Sequence, residues 1–228
     1  MGARRMGGMS MVDAVFLSAG VPDPRRGPQY AATADTVAIT AAVSALVHVT
    51  LGRRLLVWGG HPAITPMVWT IAQDVGVDYG RWVRLYQSRH FADEFPEDNQ
   101  RFQNVTFTDD VPGDREQSLL VMRERMFSDH GFQAAVFIGG MGGITQEYEM
   151  FRRLQPNAVV VPVVSTGGAT LDVAARAGLL DPDLADDLDY VALLHRHLAV
   201  SVREERFKDP DDQPASIPDR FWRPGKKA

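Results

Sequence analysis

The chain reads as an α/β protein: a doubly wound, mostly parallel sheet of six or seven strands with helices on both faces, the Rossmann-like arrangement. Three observations predict it. Short apolar, β-branched runs alternate with longer helix-patterned stretches along the 228 residues, as consecutive βαβ units do. Several of those runs break directly into glycine, serine or histidine, so special residues collect where strands end. Hydrophobic residues at 45% and charged residues at 23% suit one globular domain with a sizeable core.

Residues 1-11 read as a flexible leader. Asp13 interrupts what would have to be the apolar core of a signal peptide. Met6 stands where a myristoylation motif needs Ser or Thr. The single domain is expected over residues 12-202. Its first strand, Val12 to Leu17, ends in Ser18-Ala19-Gly20-Val21-Pro22. A polar loop with Arg25 and Arg26 follows, more in keeping with solvated side chains than with a phosphate clamp. A long helix then runs from about Ala31 to Leu51, and Gly52 is placed to end it.

Arg54 to Trp58 is the second strand and runs into Gly59-Gly60-His61-Pro62. Pro62 suits a first helical turn, so a helix is expected from there to about Val75. The third strand, Trp82 to Tyr86, leads to Gln87-Ser88-Arg89-His90. Phe91 to Gln103 is acidic with scattered Phe, a short helix or a lid over a site. Val105 to Thr108 is a fourth strand. Asp114 to Asp129 is helical in pattern, with Leu119, Met122 and Met126 on one face.

The fifth strand, Ala134 to Ile138, breaks into Gly139-Gly140-Met141-Gly142-Gly143, and a helix opens at Thr145. Strand, glycine turn and helix start form an arrangement in which bare amides approach an anion closely. Ala158 to Val164 is a sixth strand, whose β-branched run suits burial on both faces. It ends in Ser165-Thr166-Gly167-Gly168, with helices expected from Ala169 and Leu184. His195 to Val202 is a last short strand or helix. Residues 203-228 turn charged and proline-bearing and read as a surface-running or disordered tail, with Phe221-Trp222 able to dock on the body or on a second subunit.

Ligands of open parallel sheets bind beyond the carboxyl ends of the strands. The candidate ligand-binding residues therefore lie at five such ends: Ser18 and Gly20; Gly59, Gly60 and His61; Gln87 and Ser88; Gly139, Gly140, Met141, Gly142, Gly143 and Thr145; and Ser165, Thr166 and Gly167. His61 is equally able to bond within its own turn, and the Ser165 and Thr166 hydroxyls to cap the next helix. A nucleotide-type ligand is expected there.

Other chemistries are weakened or excluded. The net charge of −5 argues against a broad nucleic-acid surface. With no cysteine there is no disulfide, thiolate metal site or cysteine nucleophile; a cytosolic setting is compatible. No apolar run approaches the roughly 18 residues of a membrane span. The first turn lacks G-x-G-x-x-G, and no phosphate-binding G-x-x-x-x-G-K-[ST] occurs. His195 and His197 are two apart, opposite faces of a strand, so no metal site is expected, and no cofactor.

Ile138 to Glu147 (I-G-G-M-G-G-I-T-Q-E), Met122-Arg123-Glu124-Arg125-Met126 upstream and the Gly59-Gly60-His61-Pro62 turn together resemble the SLOG superfamily, which includes the LOG phosphoribohydrolases once described as lysine decarboxylases. That family carries P-G-G-x-G-T-x-x-E after an M-H-x-R-K-like helix motif. The resemblance covers about Asp13 to Ala177. It implies a nucleotide or nucleotide-sugar ligand of the ADP-ribose type, sensed or handled as a signal, with a homodimer or higher homo-oligomer as the working form. Its enzyme branch implies hydrolysis of the base–ribose bond of a nucleoside 5′-monophosphate by an Arg and a Glu, here Glu147 with Arg123 or Arg125. Strict spacing puts Gln146 at the glutamate position, and Arg125 rather than Arg123 at the arginine position.

Overall fold

The computed structural model describes residues 13–95, 97–179 and 181–224; the expected leader lies outside the described residues. The strands are β1 (Ala14–Gly20), β2 (Leu55–Trp58), β3 (Val83–Ser88), β4 (Val105–Thr108), β5 (Phe132–Gly139) and β6 (Val159–Pro162). Every pairing between them is parallel, in the order β4-β3-β2-β1-β5-β6. This is the doubly wound α/β class. The chain steps outward from β1 to β4 and then returns to the other side of β1, so the strand order reverses between β1 and β5. That reversal opens a crevice above the carboxyl ends of those two strands.

The helices follow from local chemistry. A single turn, α1 (Pro28–Ala31), starts at a proline. In α2 (Thr36–Thr50) the Asp35 carboxylate accepts the amides of Val37 and Ala38 as an N-cap. The expected start near Ala31 is therefore displaced by a separate turn and a cap. Next come α3 (Thr65–Asp74), the short α4 (Tyr79–Trp82) and α5 (Arg115–Ser128), the last capped by Asp114. They are followed by α6 (Gly142–Leu154), α7 (Thr170–Ala177), α8 (Pro182–Asp186) and α9 (Tyr190–His197). The last of these ends the ambiguity over residues 195-202: helix and turn, no seventh strand among the described residues.

Alternation along the strands splits the core into two layers. Val15, Leu17, Leu56, Trp58, Val136 and Ile138 pack with α2, α3 and α9. Ala14, Phe16, Val57, Tyr86, Ala135 and Phe137 pack with α5, α6 and α7, where Phe16 meets Phe127, Phe137 and Phe151 ring to ring. β5 is buried through most of its length, as a central strand is. The sixth strand was expected to be buried on both faces, but β6 forms one edge of the sheet and leaves Val159 48% exposed.

Beyond α9 the chain runs over the amino-terminal rim of the sheet. Glu204 bridges to Phe221, Trp222 N–H donates to the Arg203 carbonyl, and the Glu204 carboxylate reaches the Arg54 guanidinium at 2.6 Å. Phe221 is half-buried against the body and Trp222 stays exposed. Among the described residues no helix is long and apolar enough to cross a membrane.

Candidate functional site

The loops that follow β1, β2 and β5 meet at one point. Gly140 N–H donates to the Gly20 carbonyl at 2.7 Å, and a Cβ on Gly20 would lie 3.3 Å from Gly140 Cα and 3.4 Å from His61 Nε2. Gly60 holds φ +68°, and a Cβ there would fall 1.4 Å from Gln87 Nε2. Gln87 in turn donates to the Gly60 carbonyl at 3.1 Å. Glycine is what lets these turns close on each other.

Above them lies a cavity of about 580 Å³ lined by Ser18, Gly20, Gly59, Gly60, His61, Gln87, Ser88, Gly140, Met141, Gly142, Gly143, Arg123, Gln146 and Glu147. Its roof is the segment after β3, folded as two 3₁₀ turns, Arg89–Glu94 and Glu97–Arg101, from which Phe91, Glu94 and Phe95 face the cavity. The 91–103 stretch is thus not a single helix; its 3₁₀ turns lie over the cavity.

Not every candidate reaches the cavity. The last glycine-turn helix opens at Gly142, three residues earlier than the expected Thr145, because Gly142 and Gly143 adopt helical geometry. Thr145 consequently falls inside the first turn, where its hydroxyl donates to the Gly142 carbonyl at 2.7 Å. Gly139 sits below the crossing, pressed against Ile39 and the Gly20 carbonyl. Ser165, Thr166 and Gly167 also lie beneath the turn and off the cavity. Thr166 Oγ1 accepts Gly139 N–H at 2.9 Å and donates to the Val163 carbonyl at 2.6 Å. Ser165 shares a hydrogen bond with the Tyr190 hydroxyl, and Gly167 packs on the Thr33 carbonyl. Of the three, Thr166 braces the glycine turn from behind.

The two candidate arginines of α5, Arg123 and Arg125, separate cleanly. Arg125 points to solvent and pairs with Asp129 at 2.8 Å, one helical turn away. Arg123 is buried on the cavity side: its Nε donates to Glu147 Oε1 at 3.2 Å and its Nη1 to Gln146 Oε1 at 3.0 Å. The other Glu147 oxygen accepts the Ser18 hydroxyl at 2.5 Å. Glu147 lies one residue past the family's glutamate position, yet its carboxylate faces the cavity, held from β1 and α5 at once.

His61 lines the cavity at the crossing of the turns and is partly desolvated there. That desolvation is the main reason its charged form is disfavoured, Glu147 opposing and Arg26 adding to the effect. Its Nδ1 accepts Ala63 N–H at 3.2 Å, which leaves the proton of the neutral ring on Nε2. The residues that pattern reading left out are Arg115 and Glu116 at the start of α5 and Leu119 and Met122 along it, all lining the cavity. Leu119 and Met122 were legible only as a core-facing stripe. The signal available for Arg115 and Glu116 is position: they follow the carboxyl end of β4.

Among the described residues no group of three His, Cys, Asp or Glu side chains is arranged to hold a metal ion. A parallel sheet with a pocket at its point of strand reversal, walled by glycine turns, defines a Rossmann-like domain. The SLOG cluster3 family model matches residues 29–198, and the chain belongs to that family. Membership supports a nucleotide-related function in general. No curated protein and no solved structure matches the chain.

Proposed function

We propose that the cavity binds a nucleotide or nucleotide-sugar of the ADP-ribose type, as a sensor or handler of a nucleotide-derived signal. The observation that carries the reading is the meeting of three recognition elements in one cavity. The glycine turn ends at the start of the 13-residue α6, whose N-cap residue Met141 provides no side-chain cap; helix-start amides lack intrahelical acceptors and favour negative charge. Beside it Glu147, an acceptor, suits sugar hydroxyls, and Phe91 and Phe95 offer faces to a base. Phosphate, ribose and base each find matching chemistry within about 580 Å³, a volume in the ordinary range for small-molecule sites.

A second reading is favoured by the placement of Glu147 itself. A carboxylate fixed in the cavity stabilises a cationic, oxocarbenium-like sugar or positions a water molecule. Hydrolysis then breaks the base–ribose C–N bond, forms a C–O bond from water to the same carbon, and releases the base with the water's proton.

Thermal unfolding with AMP, NAD and ADP-ribose, alongside chromatography for released base, separates the readings. Binding without turnover raises stability by about 2.7 kcal/mol at 100 times the dissociation constant. Base release that Glu147→Gln abolishes favours the hydrolase. No stabilisation by any of the three, with no release, defeats both.

A further inference from the structure

Three arginines line the cavity: Arg26, Arg115 and Arg123. An arginine is the usual partner for a phosphate because its fork matches two oxygens, but only a guanidinium with donors to spare serves. Arg123 has few. Besides its bonds to Glu147 and Gln146, its Nη2 donates to the Gly143 carbonyl at 3.4 Å, so three of its nitrogens are turned toward α6. Arg115 pairs with Glu116 at 2.7 Å and lies 5.4 Å over the Phe91 ring. Arg26 differs from both. Among the described residues its side chain has no hydrogen bond, no ion pair and no aromatic partner.

Its backbone, by contrast, is well placed. The amides of Arg26 and Gly27 both donate to the Asp23 carbonyl, at 3.1 and 2.9 Å, which folds the loop into a tight turn. Gly27 is buried against the glycine-turn residue Met141: a Cβ there would lie 2.9 Å from its sulfur and 3.1 Å from the Tyr30 ring. The loop after β1 is thus docked beside the start of α6, and the Arg26 charge is felt at His61.

Resting on the nucleotide reading above, we propose that Arg26 is the cation that meets the ligand's phosphate, while Arg123 is a positioning residue that orients Glu147. Sequence reading left Arg25 and Arg26 as solvated loop residues, and the family resemblance placed a helix arginine beside Glu147 in hydrolysis. Glu147 has one donor on each oxygen, from Ser18 and from Arg123, which fixes the plane of the carboxylate and leaves its remaining lone pairs for the ligand.

The test compares AMP with adenosine, two probes that differ only in the phosphate, by calorimetric titration. Arg26→Gln is expected to weaken AMP binding roughly 10- to 100-fold, the range for one charge-assisted hydrogen bond, and to leave adenosine binding and the unfolding temperature unchanged. Arg26→Lys restores part of the loss. Arg123→Gln is expected to weaken both probes alike and so preserve their ratio. An unchanged AMP-to-adenosine ratio in Arg26→Gln, or a collapsed ratio in Arg123→Gln, overturns the assignment while the nucleotide reading stands. A wild-type protein that binds neither probe, nor NAD or ADP-ribose, removes the nucleotide reading itself.

Discussion

Two Arg–Glu pairs sit at opposite rims of the same sheet. At the amino-terminal rim the side chains of Arg54 and Glu204 are each 1% exposed and bonded through both terminal guanidinium nitrogens, at 2.6 and 3.2 Å. Arg54 also donates to Gln133 Oε1 and to the Arg53 carbonyl, and Arg220 approaches Glu204 at 3.7 Å. At the carboxyl rim Arg123 and Glu147 touch at 3.2 Å with 8% and 17% exposure, and their cavity is open to a guest. The first pair is closed: its donors and acceptors are taken by the protein, and it fastens the chain beyond α9 to the domain. The second is incomplete, because the carboxylate keeps lone pairs facing open space. The same two residue types are therefore sealed into the protein in one place and left facing a cavity in the other. What separates them is access to the cavity, since water or a ligand can compensate a half-satisfied charge only where it can reach it.

That contrast can be broken most forcefully at the dry rim. Glu204→Ala leaves Arg54 buried without its counter-charge and is expected to cost about 3–5 kcal/mol in urea unfolding; a loss below 1 kcal/mol would mean that water already reaches the pair. Smaller is the effect of Gly60→Ala, which puts a methyl into Gln87 at positive φ. It is expected to destabilise by about 1–3 kcal/mol and to abolish ligand response, both readable from thermal unfolding with and without ADP-ribose. Glu147→Gln sharpens the comparison from the other side. Arg123 keeps its bonds to Gln146 and Gly143, so stability should fall by no more than about 1 kcal/mol, while binding or base release is lost.

The smallest effect concerns pH. His61 is held below its usual value near 6.5, so as pH falls through that value the unfolded chain takes up the proton before the folded one. Stability is therefore expected to decline on acidification, since it rises with pH wherever the unfolded state binds more protons. His48 and His130 are shifted the same way, mainly by burial, so His61→Gln should flatten only part of the slope between pH 7 and 5, measured by chemical denaturation. An unaltered slope would show that His61 adds nothing to it.

Much of the architecture was legible along the chain. β4 falls where the pattern placed it, α5 within a residue at each end, and the glycine turn marked the carboxyl rim correctly. Element starts were less legible, because caps and turns intervene: Asp35 delays α2, and the small Gly142 and Gly143 join α6 where a glycine run suggests a loop. The site divides in the same way. Glycines that touch across loops declare themselves, since a turn of this kind admits no side chain. Arg123 and Arg125 do not, for both fit a helix face in one dimension.

The sequence by itself determined the strand–helix alternation, the parallel sheet and the rim that carries the cavity, because apolar periodicity and glycine placement are local properties. Only the tertiary structure decided which side chains share the cavity. It turned Arg123 inward and Arg125 outward, brought Ser18 to Glu147 across 129 positions, and set Thr166 beneath the turn as a brace. Those outcomes depend on how β1, α5 and α6 pack against one another, and a helical residue's direction is fixed only when its neighbours across the fold are in place.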